Sequence, residues 1–445
     1  MSDKSRAPGG FPENLPSEQL VENRIRGIME RVYASYGYTP IETPAVENME
    51  TLENEDGVIK KEVYGIKRAA GEGDDSQEAE RGLRFDLTVP FARYTAEHFN
   101  ELRFPFKRSQ IQKVWRGERP QKGRFREFYQ ADIDVIAIDN LPLHYDAEVV
   151  LAVQEVFEGM NIGNFTIHIN HRKFLQGLLQ IFGIKDEQTA DALRIIDKAD
   201  KVGITATQEN LKTELGLSAD AASEFLAMID KKVPINEIEG FLKNIKGTNP
   251  LLEEGKAELQ TIGALLQDST TRNGKIIFNP KIARGLNYYT GSVYETTLDG
   301  LEKYGSICSG GRYANLASKF INKNLPGVGI SIGLSRLLSI IKQEKLLSFE
   351  KQSVTDVMIG LFGEEQRAVG NKIAQSFRKA GLNTEVYFDG NKKIGKQLED
   401  ASKRGIGYMV MIEGAEGENG YTIKNLQERK QETFTSVNEA ILFVK

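Results

Sequence analysis

The sequence predicts an α+β protein with an antiparallel main sheet flanked by helices, and a smaller α/β unit at the C-terminal end. Two strand-like runs, 111–118 and 125–136, are joined by a short segment containing proline and glycine, which favours an antiparallel hairpin. Residues 171–270 have a mostly helical pattern. Residues from 356 onward alternate strand and helix, which is typical of a small sheet covered by helices.

Hydrophobic periodicity predicts the remaining elements of the first part of the chain. A helix is expected at 17–36 with Ser17 as its N-cap, strand patterns dominate 83–136, and a helix is expected at 145–160. Strands and turns return at 276–335.

In the last unit we expect a strand at 356–362, a helix at 365–380, a strand at 383–388, a helix at 394–404 and a strand at 407–412. The segment from Gly390 to Gln397 nearly matches a phosphate-binding loop. Gln397 stands where that loop needs Ser or Thr to hold magnesium, so we interpret the match as a decoy.

At 445 residues the chain is too long for a single core. Its patterns divide it into five segments: 1–170, the mostly helical 171–270, 271–345, a polar linker at 346–355, and 356–445.

Composition narrows the possible functions. The net charge of −5 argues mildly against a nucleic-acid partner, although a local basic stripe could still bind phosphates. Cys308 is the only cysteine, so neither an intrachain disulfide nor a cysteine-based zinc site is possible. No apolar run is long enough for a membrane helix, and the first residues lack a secretion signal, so we expect a cytoplasmic protein without a membrane partner.

Residues 83–89 are predicted to form a strand. Because side chains alternate along a strand, Arg84, Asp86 and Thr88 would share one face. A half-buried strand with a solvated outer face also explains this pattern, and the segment alone favours that interpretation.

The hairpin is more informative, because one face of its second strand carries Arg126, Phe128, Gln130, Asp132 and Asp134. Arginine can bind phosphate or carboxylate in a bidentate way, and an aromatic ring can stack on a base. Carboxylates and amides can accept N–H groups. This mixture predicts the floor of a polar-ligand site better than it predicts a merely solvated hairpin.

The first strand and the connecting loop add charge. Gln112, Val114, Arg116 and Glu118 share one parity of the first strand. The tip then collects basic residues: Arg116, Arg119, Lys122, Arg124 and Arg126. A basic hairpin tip suits a nucleic-acid backbone, but an ordinary charged turn remains equally possible.

Three later segments carry weaker signals. The run from Arg284 to Gly291 places Tyr288 and Tyr289 between two glycines, with Arg284 just before the first, which suggests side chains aimed into a cleft. The run from Ser309 to Tyr313 predicts a glycine turn that lets backbone approach a ligand closely. Finally, a glycine-rich strand at 327–333 leads into a helix.

That helix carries Arg336 in its first turn. A cation there is disfavoured by the helix dipole, so Arg336 indicates an anionic ligand, with a tolerated surface arginine as the alternative.

Together these segments resemble the catalytic domain of class II aminoacyl-tRNA synthetases. The run from Tyr38 to Pro44 resembles the first class motif, Trp115 through Asp134 the second, and Gly327 to Leu338 the third.

Two further runs, Ala283 to Gly291 and Ser309 to Tyr313, resemble the histidine motifs of the histidyl family. The unit at 356–445 is similar to the anticodon-binding domain of this subgroup. The resemblance implies the class II fold, with the catalytic domain in 1–170 and 271–345 and a helical insertion at 171–270.

The resemblance implies that histidine and ATP form histidyl-adenylate, from which the histidyl group passes to tRNA. It assigns seven residues to histidine: Asp86, Thr88 and Gln130 to its α-amino group, Asp134, Tyr289 and Tyr313 to its imidazole ring, and Tyr288 from the same motif.

For ATP, the resemblance places Arg116 and Arg284 at the α-phosphate, where they would be the catalytic residues. Glu118 would contact the adenine edge, Phe128 the adenine face, and Arg336 the far phosphates or the other adenine face. Fixed cations stabilise the charge that builds on the α-phosphate during attack, so this arrangement is chemically sound.

The implied partners are tRNA(His), L-histidine, ATP with Mg²⁺, and a second copy of the chain bound through the first motif. We expect no tightly bound prosthetic group and no metal held by protein side chains. The tRNA acceptor end would meet the hairpin tip at Arg119, Gln121, Lys122 and Arg124.

The sequence departs from the family in four places. The start lacks the usual Arg-Gly-Thr entry, Asn287 and Ala314 replace aspartates, and Asp134 stands where part of the family has glutamate. Two alternatives stay open: a non-catalytic paralogue that regulates histidine biosynthesis, and a synthetase for threonine, proline or glycine. The first should have lost its phosphate-binding arginines, and the second should lack the motif at 284–289.

Overall fold

The computed structural model describes residues 6–52, 62–68, 79–119, 123–269, 271–283, 289–314, 316–414 and 420–445, except for the side chains of residues 200 and 201. The chain divides into two compact units, one made of 1–12 with 25–346 and the other of 13–24 with 347–445. Within the described ranges, no helix combines the length and apolar character needed to cross a bilayer.

The first elements in chain order are α1 (Pro16–Ser35), β1 (Thr39–Pro40), β2 (Val46–Asn48), α2 (Met49–Leu52), β3 (Gly65–Ile66), β4 (Arg81–Leu83), α3 (Thr88–Glu97), β5 (Phe106–Trp115), β6 (Glu127–Ile136), α4 (His144–Met160) and β7 (Phe165–His171). They contain the predicted hairpin, β5 with β6, and the predicted helix at 145–160, both of which are confirmed.

The mostly helical stretch follows as α5 (Arg172–Ile181), α6 (Thr189–Val202), α7 (Ile204–Leu215), α8 (Ala219–Ile229), β8 (Val233–Pro234), α9 (Ile238–Lys243) and α10 (Pro250–Leu266). The larger unit then closes with β9 (Gly274–Phe278), β10 (Tyr289–Leu298), β11 (Cys308–Tyr313), β12 (Gly327–Gly333) and α11 (Leu334–Gln343).

A nine-stranded sheet organises the larger unit, in the order β1-β5-β6-β12-β11-β10-β7-β9-β8. Its pairings are antiparallel except β1 with β5 and β7 with β9. A small sheet, β2-β4-β3, accompanies it. The predicted α+β class with a mainly antiparallel sheet is confirmed.

The first helix begins one residue earlier than predicted, and Ser17 is not its N-cap. Pro16 opens the helix, where its missing N–H costs nothing because first-turn donors have no intrahelical acceptor. The carboxylate of Glu18 reaches back and accepts the N–H of Leu15 at 3.1 Å. The N-terminus of the helix is therefore capped by the side chain of Glu18, which lies inside the first turn, and not by Ser17.

Residues 83–89 do not form the predicted strand, because α3 begins within this segment. Asp86 Oδ1 accepts a hydrogen bond from the N–H of Val89 at 3.1 Å and so satisfies a first-turn donor. Pro90 also lies in this turn, where a proline is tolerated. The hydrogen bond from Val89 to Asp86 and the proline in the first turn favour a helix more strongly than the alternating apolar pattern favours a strand.

The predicted common face of Arg84, Asp86 and Thr88 is therefore wrong. The guanidinium of Arg84 is buried elsewhere and donates to the carbonyl oxygens of Thr43 and Lys113 at 2.6 and 2.8 Å. Arg84 thus ties the segment before β2 to β5.

The predicted glycine turn from Ser309 to Tyr313 is also wrong, since this run is β11 and lies between β10 and β12. A Cβ at Gly310 would lie 2.2 Å from the carbonyl oxygen of Gly329. Glycine is required here for close packing of neighbouring strands, not for a turn.

The smaller unit contains β13 (Val357–Gly360), α12 (Arg367–Lys379), β14 (Thr384–Val386), α13 (Ile394–Lys403), β15 (Tyr408–Ile412), β16 (Tyr421–Asn425), β17 (Gln431–Phe434) and α14 (Val437–Val444). Its sheet runs β14-β13-β15-β16-β17, with the first three strands parallel and the last two joined antiparallel. The five elements predicted between 356 and 412 are confirmed.

Gln397, in the segment that imitates a phosphate loop, is fully buried. Its amide binds the backbone N–H and carbonyl of Leu361 at 3.0 and 2.6 Å, and the carbonyl of Lys392 at 2.7 Å. The residue anchors α13 to the end of β13, which supports the interpretation as a decoy.

A buried ion pair holds α4 against the sheet. Asp146, on α4, receives Nε of Arg312 at 3.1 Å to each carboxylate oxygen and a second bond from Nη2. The hydroxyl of Ser292 donates to Asp146 Oδ1 at 2.5 Å, and the hydroxyl of Tyr294 donates to Ser292 Oγ at 2.6 Å. The pair is therefore well satisfied despite its burial.

We expect Asp146→Asn to destabilise the larger unit by about 3–5 kcal/mol, because it leaves Arg312 buried without its counter-ion. The urea midpoint of the transition that reports on this unit measures the effect. Arg194→Met, which removes an exposed ion pair with Glu214, is the control and should leave the midpoint unchanged. Equal shifts in the two variants would contradict the role given to Asp146.

Candidate active site

The register of the β5–β6 hairpin places its polar residues opposite one another. Arg108 pairs with Asp134, Gln110 with Asp132, and Gln112 with Gln130. Since directly paired residues project to the same face of a sheet, the pairing builds one polar surface from two strands.

The neighbouring strands extend this surface with small residues. Across β12 and β11, Asp132 is followed by Ser331 and Ser309. Asp134 is followed by Gly329 and Gly311 in the same way. Across the sheet, one row therefore continues with the hydroxyls of Ser331 and Ser309, and the next row continues with glycines, which have no side chains.

The glycines leave room for the larger groups. A Cβ at Gly329 would lie 2.1 Å from Asp134 Oδ1, and one at Gly327 would lie 2.4 Å from the ring of Tyr313. The aromatic ring and the carboxylate therefore lie directly on strand backbone, which only glycine permits at these positions.

Asp134 is the centre of this arrangement. The hydroxyl of Tyr313 donates to its Oδ1 at 3.0 Å, and Arg108 Nη2 lies 2.7 Å from its Oδ2. Burial raises the pKa of Asp134 to about 7, although the guanidinium of Arg108 opposes the shift. The charge of Asp134 therefore depends on the fixed groups that surround it.

Two other carboxylates lie nearby. Burial raises the pKa of Asp132 to about 6, against the opposing charge of Arg108. Burial also raises the pKa of Asp86, while the N–H of Val89 and the charge of Arg116 oppose the shift. The site therefore concentrates acidic groups where water is scarce, an arrangement often found at functional sites.

A cavity of about 320 Å³ opens beside these groups. Most of the residues predicted to bind ATP line it, together with small residues of β11, β12 and the loop before β11: Arg116, Glu118, Gly123, Arg124, Phe125, Phe128, Gln130, Ser306, Ile307, Cys308, Ser309, Ser331, Gly333 and Arg336.

Arg116 is held in the cavity by aromatic rings. Its guanidinium carbon lies 4.2 Å from the ring centroid of Phe85 and 5.2 Å from that of Phe128, and Nε donates to the carbonyl of Phe85 at 3.3 Å. These contacts fix the position of Arg116 and leave other N–H groups of its guanidinium able to bind an anion.

The opposite wall carries Arg336, which donates to the carbonyl of Tyr304. Glu118 lies 3.5 Å from Arg124 at the mouth. The structure therefore brings Arg116, Glu118, Phe128 and Arg336, four of the residues predicted to bind ATP, to one cavity.

Other predicted residues lie outside this wall or outside the described residues. Asp86 and Thr88 stand at the start of α3, Tyr289 at the start of β10, and Arg119 is exposed at the hairpin tip. The predicted roles of Gln121, Lys122, Arg284 and Tyr288 concern positions outside the described residues.

Sequence reasoning missed Arg108 and assigned no role to Asp132 or Ser331. Arg108 has the same strand parity as Gln112 and Arg116, but the predicted strand began at 111, whereas β5 begins at 106. A strand extended by five residues would have placed Arg108 on the site face.

Comparison with known proteins decides the family. The model of the histidyl-tRNA synthetase family matches residues 10–337, and that of an anticodon-binding domain matches 356–445. The chain belongs to the histidyl-tRNA synthetase family. The resemblance drawn from the sequence motifs is thereby confirmed.

The relatives span the whole chain. A histidine–tRNA ligase of Thermobifida fusca is 43% identical over 423 residues, which cover 95% of each protein. The crystal structure of histidyl-tRNA synthetase from Nostoc sp. PCC 7120 superposes with a TM-score of 0.89 at 36% identity, covering 99% of this chain and 98% of that one. These matches confirm the class II synthetase fold.

A more distant structure shares the fold. The Bacillus halodurans protein described as an ATP phosphoribosyltransferase regulatory subunit/histidyl-tRNA synthetase has a TM-score of 0.71 at 22% identity, covering 90% of this chain and 97% of its own. At that identity the likeness concerns the fold alone.

We expect Gly329→Ala to impair histidine use, because the new methyl group would collide with Asp134 Oδ1 and with the carbonyl of Ile133. The KM for histidine in pyrophosphate–ATP exchange should rise by about tenfold to a hundredfold, as small displacements in active sites do. The KM for ATP should change little.

The matched control is Gly240→Ala on α9, where no atom lies within 4 Å of the added Cβ. It should leave both KM values unchanged. Parallel rises of both KM values in Gly329→Ala would contradict a specific effect on Asp134.

Proposed function

We propose that the protein charges tRNA(His): it joins L-histidine to ATP to give histidyl-adenylate and pyrophosphate, and then transfers the histidyl group to the terminal ribose of the tRNA. The observation that carries this proposal is the cavity lined by Arg116, Phe128, Gln130 and Arg336, with the buried carboxylate of Asp134 four residues beyond Gln130 on the same face of β6. Arginines can bind the phosphates of a nucleoside triphosphate, and a carboxylate can accept an imidazole N–H.

The α-amino group of histidine would be held by Asp86, Thr88 and Gln130. Gln130 donates its amide N–H to Ser331 Oγ at 2.9 Å, while its buried Oε1 has no hydrogen-bond partner among the described residues. An ammonium group would supply that missing donor. The acceptor is therefore oriented before substrate arrives.

The imidazole ring would lie against Asp134, Tyr289 and Tyr313, with Tyr288 contributed by the same motif. Because Tyr313 and Arg108 already hold the two oxygens of Asp134, the carboxylate presents fixed lone pairs to a ring N–H. A rigid acceptor discriminates strongly against side chains that lack a matching donor.

For ATP, the adenine would stack on Phe128, with Glu118 at its edge and Arg336 at the far phosphates or the other adenine face. Arg116 and Arg284 would hold the α-phosphate from two sides. As the histidine carboxylate attacks, negative charge builds on the α-phosphate and these cations stabilise it. The attacking carboxylate is already ionised, so no side chain needs to remove a proton.

Mg²⁺ would accompany the outer phosphates of ATP, where it neutralises charge. No group of three or more His, Cys, Asp or Glu side chains suited to a metal ion occurs in the described part of the chain. The ion would therefore be bound mainly through the phosphates, which is common for Mg²⁺.

The tRNA would meet two parts of the chain. Its acceptor end would contact the hairpin tip at Arg119, Gln121, Lys122 and Arg124, and its anticodon would bind the unit at 356–445. The proposal for the second contact rests on the family match of this unit.

We also propose a cytoplasmic homodimer that forms through the segment Tyr38–Pro44. β1, within this segment, is one of the two edge strands of the nine-stranded sheet, and both of its residues are exposed. An exposed strand edge is a natural place for another chain to bind.

The regulatory-paralogue alternative fits the chain less well. Such a protein has no need of phosphate-binding arginines, whereas Arg116 and Arg336 line one cavity and Arg116 is held there by two aromatic rings.

We expect purified protein to catalyse pyrophosphate–ATP exchange with histidine and with no other common amino acid. A radioactive pyrophosphate assay with each amino acid in turn measures this. Exchange that depends on a different amino acid, or an absence of exchange in protein that binds ATP, would contradict the proposal.

Arg284→Ala should slow adenylate formation by about a hundredfold, as loss of one group that stabilises transition-state charge does, with little change in histidine affinity. Single-turnover kinetics and equilibrium binding separate the two effects. Arg272→Ala, at an exposed position before β9, is the control and should change neither. Equal losses in rate and affinity would argue against the phosphate role of Arg284.

A further inference from the structure

A buried cluster of three charged residues lies under the proposed imidazole site. We name it the Arg108 cluster; it consists of Arg108 on β5 and of Asp132 and Asp134 on β6. Their exposed fractions are 0, 2 and 3%. Burying ions is costly unless they are paired, so such a cluster requires an explanation.

Arg108 is fixed from several sides. Besides Asp134, it binds Gln110 Oε1 at 3.3 Å and approaches the carbonyl oxygen of Leu87 at 3.5 Å, and its guanidinium lies 4.6 Å from the ring centroid of Phe91. These contacts immobilise the cation, and its Nη2 lies 2.7 Å from Asp134 Oδ2. The position of the carboxylate therefore depends on Arg108.

Asp132 is held less tightly by the same cation. Its Oδ2 lies 3.7 Å from Arg108 Nη2, whereas Asp134 Oδ2 lies 2.7 Å from that nitrogen. Its Oδ1 is buried and has no hydrogen-bond partner within the described ranges. The guanidinium of Arg108 therefore lies closer to Asp134 than to Asp132. With both carboxylates ionised, the cluster carries a net negative charge.

The two neighbours act on Asp134 in opposite directions. Arg108 favours the ionised form of Asp134, and Asp132 disfavours it. None of the three lines the cavity of about 320 Å³, so the cluster lies behind its wall. Because the charges of Arg108 and Asp132 both act on Asp134, these two residues are placed to influence a bound imidazole through that carboxylate.

We propose that Arg108 and Asp132 are positioning residues for histidine selection: Arg108 holds the Asp134 carboxylate in place for the imidazole ring and favours its negative charge, and the neighbouring Asp132 opposes that charge. The inference rests on the proposed function, because it assumes that Asp134 binds the imidazole. It extends that function to two residues that do not touch substrate.

The ionisable groups that surround the cluster come from each element packed against it: Tyr33 from α1, Tyr38 from the segment after α1, Arg84 and Asp86 from the segment before α3, Arg116 from the segment after β5, Tyr289 from β10, and Cys308 and Tyr313 from β11. Burial raises the pKa of Tyr33, Tyr38, Tyr313 and Cys308, so these groups stay neutral near pH 7. The carboxylates are therefore the groups in this set whose charge changes there.

Two substitutions with opposite predicted effects test the proposal. Arg108→Met removes the cation, so Asp134 should be protonated at higher pH than in the wild type. Asp132→Asn is nearly isosteric and removes the opposing charge, so Asp134 should stay ionised to lower pH. The measurement is the KM for histidine and the KM for ATP in pyrophosphate–ATP exchange between about pH 6 and pH 9, a range that brackets the shifted carboxylates.

At neutral pH we expect Arg108→Met to raise the KM for histidine by about tenfold, the effect of one pKa unit on the ionised fraction, with partial recovery as the pH rises. Asp132→Asn should lower this KM a few-fold near pH 6. The titration of the substrate imidazole is common to all variants and cancels in the comparison. The KM for ATP should stay close to the wild-type value in both variants.

Further variants separate charge from packing. Arg108→Lys keeps the positive charge but loses the planar guanidinium with its several N–H donors. Its pH profile should therefore match the wild type, while its KM for histidine stays raised. The double variant Arg108→Met/Asp132→Asn should bring the pH profile back toward the wild type, because both opposing charges are gone. Arg93→Met, which removes a half-buried arginine paired with Glu47 and not with the cluster, should produce no histidine-specific pH shift.

The outcomes are distinguishable. If the wild type shows no histidine-dependent exchange, the proposed function fails. If the wild type is active but Asp132→Asn and Arg108→Met shift the pH profile in the same direction, or change both KM values together, the inference fails. Should Arg108→Met not fold, the direction of the Asp132→Asn shift decides the question alone.

Discussion

The register of the β5–β6–β12–β11 ladder is the constraint on which the site depends. It places Arg108 opposite Asp134, and Asp134 opposite Gly329. A slip of one residue would turn every one of these side chains to the other face of the sheet. The glycines are therefore needed for the charged residues to fit, because the carboxylate of Asp134 can lie against the neighbouring strand only where that strand has no Cβ atom.

Placing carboxylates in such a dry position has an energetic consequence. Burial favours their neutral forms, and only fixed partners keep them available as acceptors. Arg108, Tyr313 and the first-turn N–H of Val89 supply those partners. The same lack of water strengthens any hydrogen bond that a substrate makes there, so the cost of burial and the gain in discrimination have one origin.

Much of the site was predictable because its residues occur in short runs of unusual composition. Arg116, Glu118, Phe128 and Arg336 were assigned from such runs, and all four line one cavity. The errors occurred where local and long-range effects compete. At Asp86 a side-chain cap starts a helix in an alternating pattern, and at Gly310 a glycine serves strand packing instead of a turn.

Periodicity and motifs of neighbouring residues were enough to predict the class of the fold, the hairpin, the long helices at 17–36 and 145–160, and the family. The pairing of the strands was needed to show which side chains meet, and it added Arg108 to the site and joined it to Asp132 and Asp134. The physical reason is that the partner of Asp134 depends on the length and register of the paired strands, and the local pattern started the first strand at 111 and not at 106. The role of Arg108 follows only from the groups that surround it once the strands are paired.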